Sequence, residues 1–202
     1  MKHVFGALRA IVGLAGLIAI IATFFDTASR ATINPFNFFG YFTMQSNVIF
    51  MIAMLATAAA IFAGPKQSQL LLMLRACATT YIVIVGIVYN LLLVGLEGGV
   101  TLQWANWVLH VALPIYAALD WVLFADRPAL PWKRFWLVVI YPIVWVVVVL
   151  IRGATDGWVP YPFLDPTQGY GVVALYCIGI AVAVLVVGAL VWAVSRTRII
   201  KP

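Results

Sequence analysis

The chain has 202 residues, of which 65% are apolar and only 9% charged, whereas a soluble domain carries about 25% charged residues to cover itself. With a mean hydropathy of +1.10, most of the surface must face lipid, and membrane spans use up the length that a separate soluble domain would need. The formal charge of +6 would suggest nucleic acid in a soluble chain, but here the basic residues are scattered between apolar runs and read as topology signals and headgroup contacts, which argues against a nucleic-acid partner.

A helix needs about 20 apolar residues to cross a bilayer core. Six stretches qualify, at roughly 5–25, 41–63, 72–96, 104–124, 135–152 and 171–194. They predict an all-α integral membrane protein, a single six-helix domain over residues 1–202. Breakers separate them: Asn34-Pro35, Gly64-Pro65, Gly98-Gly99, Arg127-Pro128 with Pro131, and the segment 153–169.

The first span follows Lys2 and contains Arg9, as a cleaved signal peptide would. However, Thr27-Ala28-Ser29-Arg30-Ala31 makes a poor cleavage site, so a retained helix is expected. The second span opens with Tyr41-Phe42-Thr43-Met44-Gln45-Ser46-Asn47, in which Thr43, Ser46 and Asn47 stand at i, i+3 and i+4 on one face. The third carries Asn90 on a face shared with Thr79 and Gly86. In the fourth, Gln103, Asn106 and His110 repeat the one-face spacing.

Proline at 114 lacks the N–H that would bond the carbonyl of His110, so that carbonyl is freed and a kink is expected there. Pro142 does the same to Val138 in the fifth span and reads as packing. Asp120, deeper in the fourth span, is expected to pair with Arg75 or another cation on that side. The segment 153–169 carries Trp158, Tyr161 and three prolines, and reads either as a stiff lid or as an interface loop held by aromatics. Arg152 and Asp165 flank it and would pair as a rim salt bridge. Alternatively, Asp165 orients His110, or Arg152 holds a lipid carboxylate or phosphate. Cys77 and Cys177 fall near opposite faces of the core, too far apart for a disulfide, and are expected as free thiols.

With the N-terminus inside, ten of the twelve basic residues fall on inner segments and only Arg30 and Arg152 on outer ones. The positive-inside rule therefore predicts that both termini are cytoplasmic. Trp104, Trp132, Trp158 and Trp192 fall near span ends, where indoles favour the headgroup level. Asn90 and His110 each lie six residues from the outer end of their span, about 9 Å deep at 1.5 Å per residue. Thr43, Ser46 and Asn47 bracket that depth, so three helices place polar side chains in one outer layer. Each alone reads as interhelical glue worth about 0.6 kcal/mol. His110, the only histidine in a span, reads either as a base or as a satisfied donor.

Other chemistries are missing. His3 and His110 sit on opposite sides, so no zinc site of ordinary composition forms and no metal or other cofactor is expected. No phosphate-binding loop or dinucleotide-binding glycine pattern is present, nor a nucleophile elbow.

Phe39-Gly40-Tyr41-Phe42-Thr43 followed by Asn106-x-x-x-His110-x-x-x-Pro114 resembles the androgen-induced family of multi-helix intramembrane threonine hydrolases, the family of the androgen-dependent regulator of tissue factor pathway inhibitor. The resemblance extends loosely over the six spans and to Asp120. It implies hydrolysis of lipid esters such as fatty acid esters of hydroxy fatty acids, with Thr43 as nucleophile and His110 as its base. Gln45-Ser46-Asn47 departs from the family's more apolar continuation, so the chain looks like a bacterial relative, in a cytoplasmic membrane.

On that reading, Asn47, Asn90 or Asn106 would donate to the oxyanion or to polar parts of the substrate, with Ser46, Arg152 and Asp165 in support. Membrane lipids would be substrate or ligand, and a homo-oligomer is left open. The competing expectations are a lipid-binding or transport protein whose polar layer is its binding site, and a structural subunit held together by that layer.

Overall fold

The computed structural model describes residues 1–64, 67–95, 102–197 and 199–200. Pro65, Gly98-Gly99 and the cations Lys66, Arg198 and Lys201 lie outside the described residues. Six helices are long and apolar enough to cross a membrane: α1 Lys2–Ala28, α2 Phe42–Ala63, α3 Gln69–Leu93, α4 Gln103–Leu123, α5 Trp132–Thr155 and α6 Tyr170–Val194. Every end falls within three residues of the expected span. The breakers act locally. Asn34 caps the one-turn helix Pro35–Phe38 by accepting from the N–H groups of Phe36 and Asn37. Gly64, at φ 86°, ends α2 in the left-handed conformation.

Lipid tails are as apolar as leucine, so helices in a bilayer associate through close packing and polar contacts rather than through a hydrophobic drive. In α1 the buried positions Gly6, Arg9, Gly13, Gly16 and Ile20 form one stripe at helical spacing. A Cβ on Gly13 would sit 2.8 Å from Leu55 of α2, so the two backbones meet where the side chain is missing. The third helix is the centre of the bundle, packing against α2, α4 and α6, and 72% of its apolar window is buried. The fifth is peripheral, with 11% of its window buried.

Near the end that carries both termini, four charges are buried together. The Arg9 guanidinium bonds Asp120 at 2.7 Å and also Asp126, while Arg75 reaches Asp120 at 3.2 Å and Asp126 at 3.3 Å. None of the four side chains is more than 5% exposed. The expected Asp120–Arg75 pair is present, but Arg9 and Arg75 are not headgroup contacts. Burial is tolerable because two cations meet two anions, each with several hydrogen bonds. Burial disfavours the Asp126 carboxylate, yet Arg75 and Arg9 outweigh it and hold that carboxyl below its usual range.

Arg127 lies over the Trp121 ring and donates to the carbonyls of Trp121, Phe124 and Val194. The first two lie at the C-terminal end of α4, where a helix leaves carbonyls without partners of its own. Burial, with Arg75 nearby, pushes its guanidinium down to about 10. Trp192 is fully buried, its indole donating to the Pro131 carbonyl at 3.2 Å. It is therefore an internal strut and not the interface anchor its position suggested. Cys77 and Cys177 are free thiols, as expected.

Candidate active site

At the opposite end of the bundle, Thr43 begins α2 and is buried. Its hydroxyl lies 3.3 Å from the phenol oxygen of Tyr161, which also accepts the Thr43 N–H at 3.2 Å. That N–H is one of the four that a helix start leaves free, so the loop before α6 caps α2 at this residue. Burial pushes the Tyr161 phenol up to about 12, with the Thr43 hydrogen bonds opposing. The loop is held in turn. Tyr161, Phe163 and Leu164 pack on Val149 and Val173, and Trp145 donates to the Gly40 carbonyl at 2.8 Å. Gly40 is required there, because a Cβ would sit 2.5 Å from the Trp158 ring and 2.7 Å from the Phe36 carbonyl.

His110 sits in a π-helical turn, Val108–Ala112, within α4. A second π-helical turn, Tyr89–Leu93, closes α3 beside it. π-Helical turns are rare and concentrate at functional sites. The helices touch between them: a Cβ on Gly86 would lie 2.7 Å from Pro114. Asn90 donates to the Gly86 carbonyl at 2.7 Å and to the His110 carbonyl at 3.4 Å, so it serves the acceptor that Pro114 frees.

The His110 ring stacks on Tyr89 at 3.9 Å, and Asn106 donates to the Tyr89 hydroxyl at 2.6 Å. Imidazole Nδ1 lies 3.0 Å from the Asn106 carbonyl. A carbonyl only accepts, so Nδ1 carries the proton and Nε2 keeps its lone pair. Nε2 has no partner among the described residues. That tautomer suits a general base.

An apolar cavity of about 280 Å³ lies between α3, α5, α6 and the loop. Thr43, Tyr89 and Tyr161 are the hydroxyl-bearing residues of its lining, and Phe42, Val85, Ile180 and Val184 are among the apolar ones. His110 is not on its lining, and among the described residues no hydrogen bond joins it to Thr43. The two are nonetheless linked indirectly, because Asn47 donates both to the Thr43 carbonyl at 2.9 Å and to the Leu109 carbonyl at 3.4 Å.

Compared with known proteins, the chain matches no family model, no curated protein and no solved structure.

The remaining expected site residues divide. Asn47 and Asn90 spend their amide N–H groups on carbonyls, and Asn106 commits one to Tyr89. Ser46 is buried on α2 with its hydroxyl beside that of Tyr141. The expected Arg152–Asp165 bridge does not form. Arg152 pairs with Asp156 at 2.8 Å and Asn37 at 2.7 Å and lies over Trp158.

Asp165 does not orient His110 either. Its carboxylate accepts from the N–H and hydroxyl of Thr167, which hold its pKa below the ordinary value. In both cases a partner within four residues along the chain replaces the expected one, and Arg152 adds the distant Asn37. Tyr89 and Tyr161 were not expected as site residues. The only sequence signal for Tyr89 is its place beside Asn90, and for Tyr161 its place in the proline-rich loop.

Proposed function

We propose that the chain is an intramembrane hydrolase of lipid esters, with Thr43 as nucleophile and His110 as base, as the resemblance to the androgen-induced family implies. The observation that carries this reading is a buried threonine, its hydroxyl against Tyr161, on the lining of a largely apolar cavity. The Nε2 of His110, without a partner among the described residues, supports it. In the reaction, Nε2 takes the Thr43 proton as Oγ1 bonds the ester carbonyl carbon. The alcohol leaves with that proton, and water then releases the acid from the acyl-threonine. Thr43 must exchange Tyr161 for His110 when substrate binds, since catalytic hydrogen bonds often tighten only in the complex. The displaced Tyr161 hydroxyl, with Tyr89, then faces the developing oxyanion.

The proposed setting is a bacterial cytoplasmic membrane, with both termini cytoplasmic and the Thr43 layer in the outer half. The test is turnover of fatty acid esters of hydroxy fatty acids by the purified protein. Thr43→Ala and His110→Ala are expected to abolish hydrolysis while leaving thermal unfolding in place; variants as active as the parent would sink the assignment.

A second reading has its own support. Thr43 and His110 hold different partners, as they would in a lipid-binding protein without chemistry. It predicts saturable ligand binding with no turnover by the unaltered chain.

A further inference from the structure

The cavity has a floor and a length. On α5 its lining runs from Val139 to Val146, on α6 from Cys177 to Leu185 and on α3 from Ile84 to Leu93. At 1.5 Å per residue these stretches measure about 10–14 Å along the bundle. Below them α5 and α6 close on each other, where a Cβ on Gly188 would sit 3.2 Å from Val138. Val138 and Val184 are buried there. At the other end stand the Thr43 and Tyr161 hydroxyls.

We infer that this cavity selects an acyl chain of medium length, about eight to eleven carbons, stopped by the Val138–Gly188 contact. This rests on the lipid-ester reading for the identity of the polar end, but not for the length. An extended chain advances about 1.2 Å per bond, from about 3.5 Å over the three bonds of a residue, so 10–14 Å holds roughly eight to eleven carbons. A longer chain would meet the floor and leave its ester short of Thr43.

The experiment uses the full chain in nanodiscs of long-chain phospholipid and follows displacement of tritiated methyl decanoate by methyl esters of four to sixteen carbons, each corrected for partition into the disc. Competition is expected to peak between eight and twelve carbons and to fall at least tenfold at sixteen. Val184→Phe, which raises the floor, is expected to move the peak to shorter esters. Ala181→Leu narrows the wall more gently and gives the same direction if Val184→Phe does not yield folded protein. Competition that is flat, that rises steadily to sixteen carbons, or that keeps its peak in both variants would overturn the assignment. Binding is read without turnover, so a length optimum without hydrolysis would defeat the hydrolase reading and leave this one standing. Hydrolysis without a length optimum would do the reverse.

Discussion

Thr43 meets Tyr161 across 118 residues of sequence, and that contact decides how the threonine is presented. The phenol fills the hydrogen-bonding needs of both the hydroxyl and the N–H of Thr43. Tyr161→Phe should therefore lower stability by about 1 kcal/mol, the usual net value of such a bond, and reduce turnover by removing a donor from the oxyanion. Its pH dependence is specific. Burial raises the phenol from 10.0 to about 12, so its contribution is complete below pH 10 and is lost as pH rises through 12. Unfolding midpoints of the parent and Tyr161→Phe proteins should converge across that window; a constant gap would contradict it. The face of Thr43, Ser46 and Asn47 was legible in the spacing of α2, because helical periodicity is local. Tyr161 was not, since nothing in a loop's composition says which helix start it caps.

Two helical irregularities face each other where α3 meets α4. Pro114 predicts the freed carbonyl of His110 from sequence alone, but not that the turn before it becomes π-helical nor that Asn90 supplies the missing donor. Both depend on how closely the neighbouring helix approaches, which Gly86 permits. Restoring the N–H with Pro114→Ala should let the backbone bond its own carbonyl and re-aim the imidazole. Stability is expected to hold or rise while turnover falls roughly 100-fold, the scale of an ångström's misplacement of a catalytic group. Activity unchanged in this variant, measured with the same ester, would mean that the π-helical turn has no part in presenting His110. Span positions were legible because length and hydropathy determine them, while the short-range pairing of Arg152 and Asp156 was hidden by a more distant candidate of the right charge.

Over the whole molecule, polarity divides by end. The charged box of Arg9, Arg75, Asp120 and Asp126 ties α1, α3 and α4 to the segment after α4. Asp120→Asn leaves two buried guanidinium groups facing one carboxylate and should cost about 3–5 kcal/mol, read as a lower unfolding midpoint. A midpoint within a degree or so of the parent's would show the box to be dispensable. Counting basic residues along the chain placed Arg9 and Arg75 on one side of a membrane but could not pair Arg9 with Asp126, which lie 117 residues apart. The same counting predicts that reporters fused to either terminus are active only in the cytoplasm; activity of one fusion outside would reverse the orientation. If the box anchors the fold at one end, chemistry is left to the other, and the site of covalent capture tests that most directly. Intact protein treated with an acyl fluorophosphonate and read by peptide mass spectrometry should carry the adduct on Thr43, with labelling lost in His110→Ala. An adduct on another residue, or no adduct with any acyl probe, would contradict a threonine hydrolase.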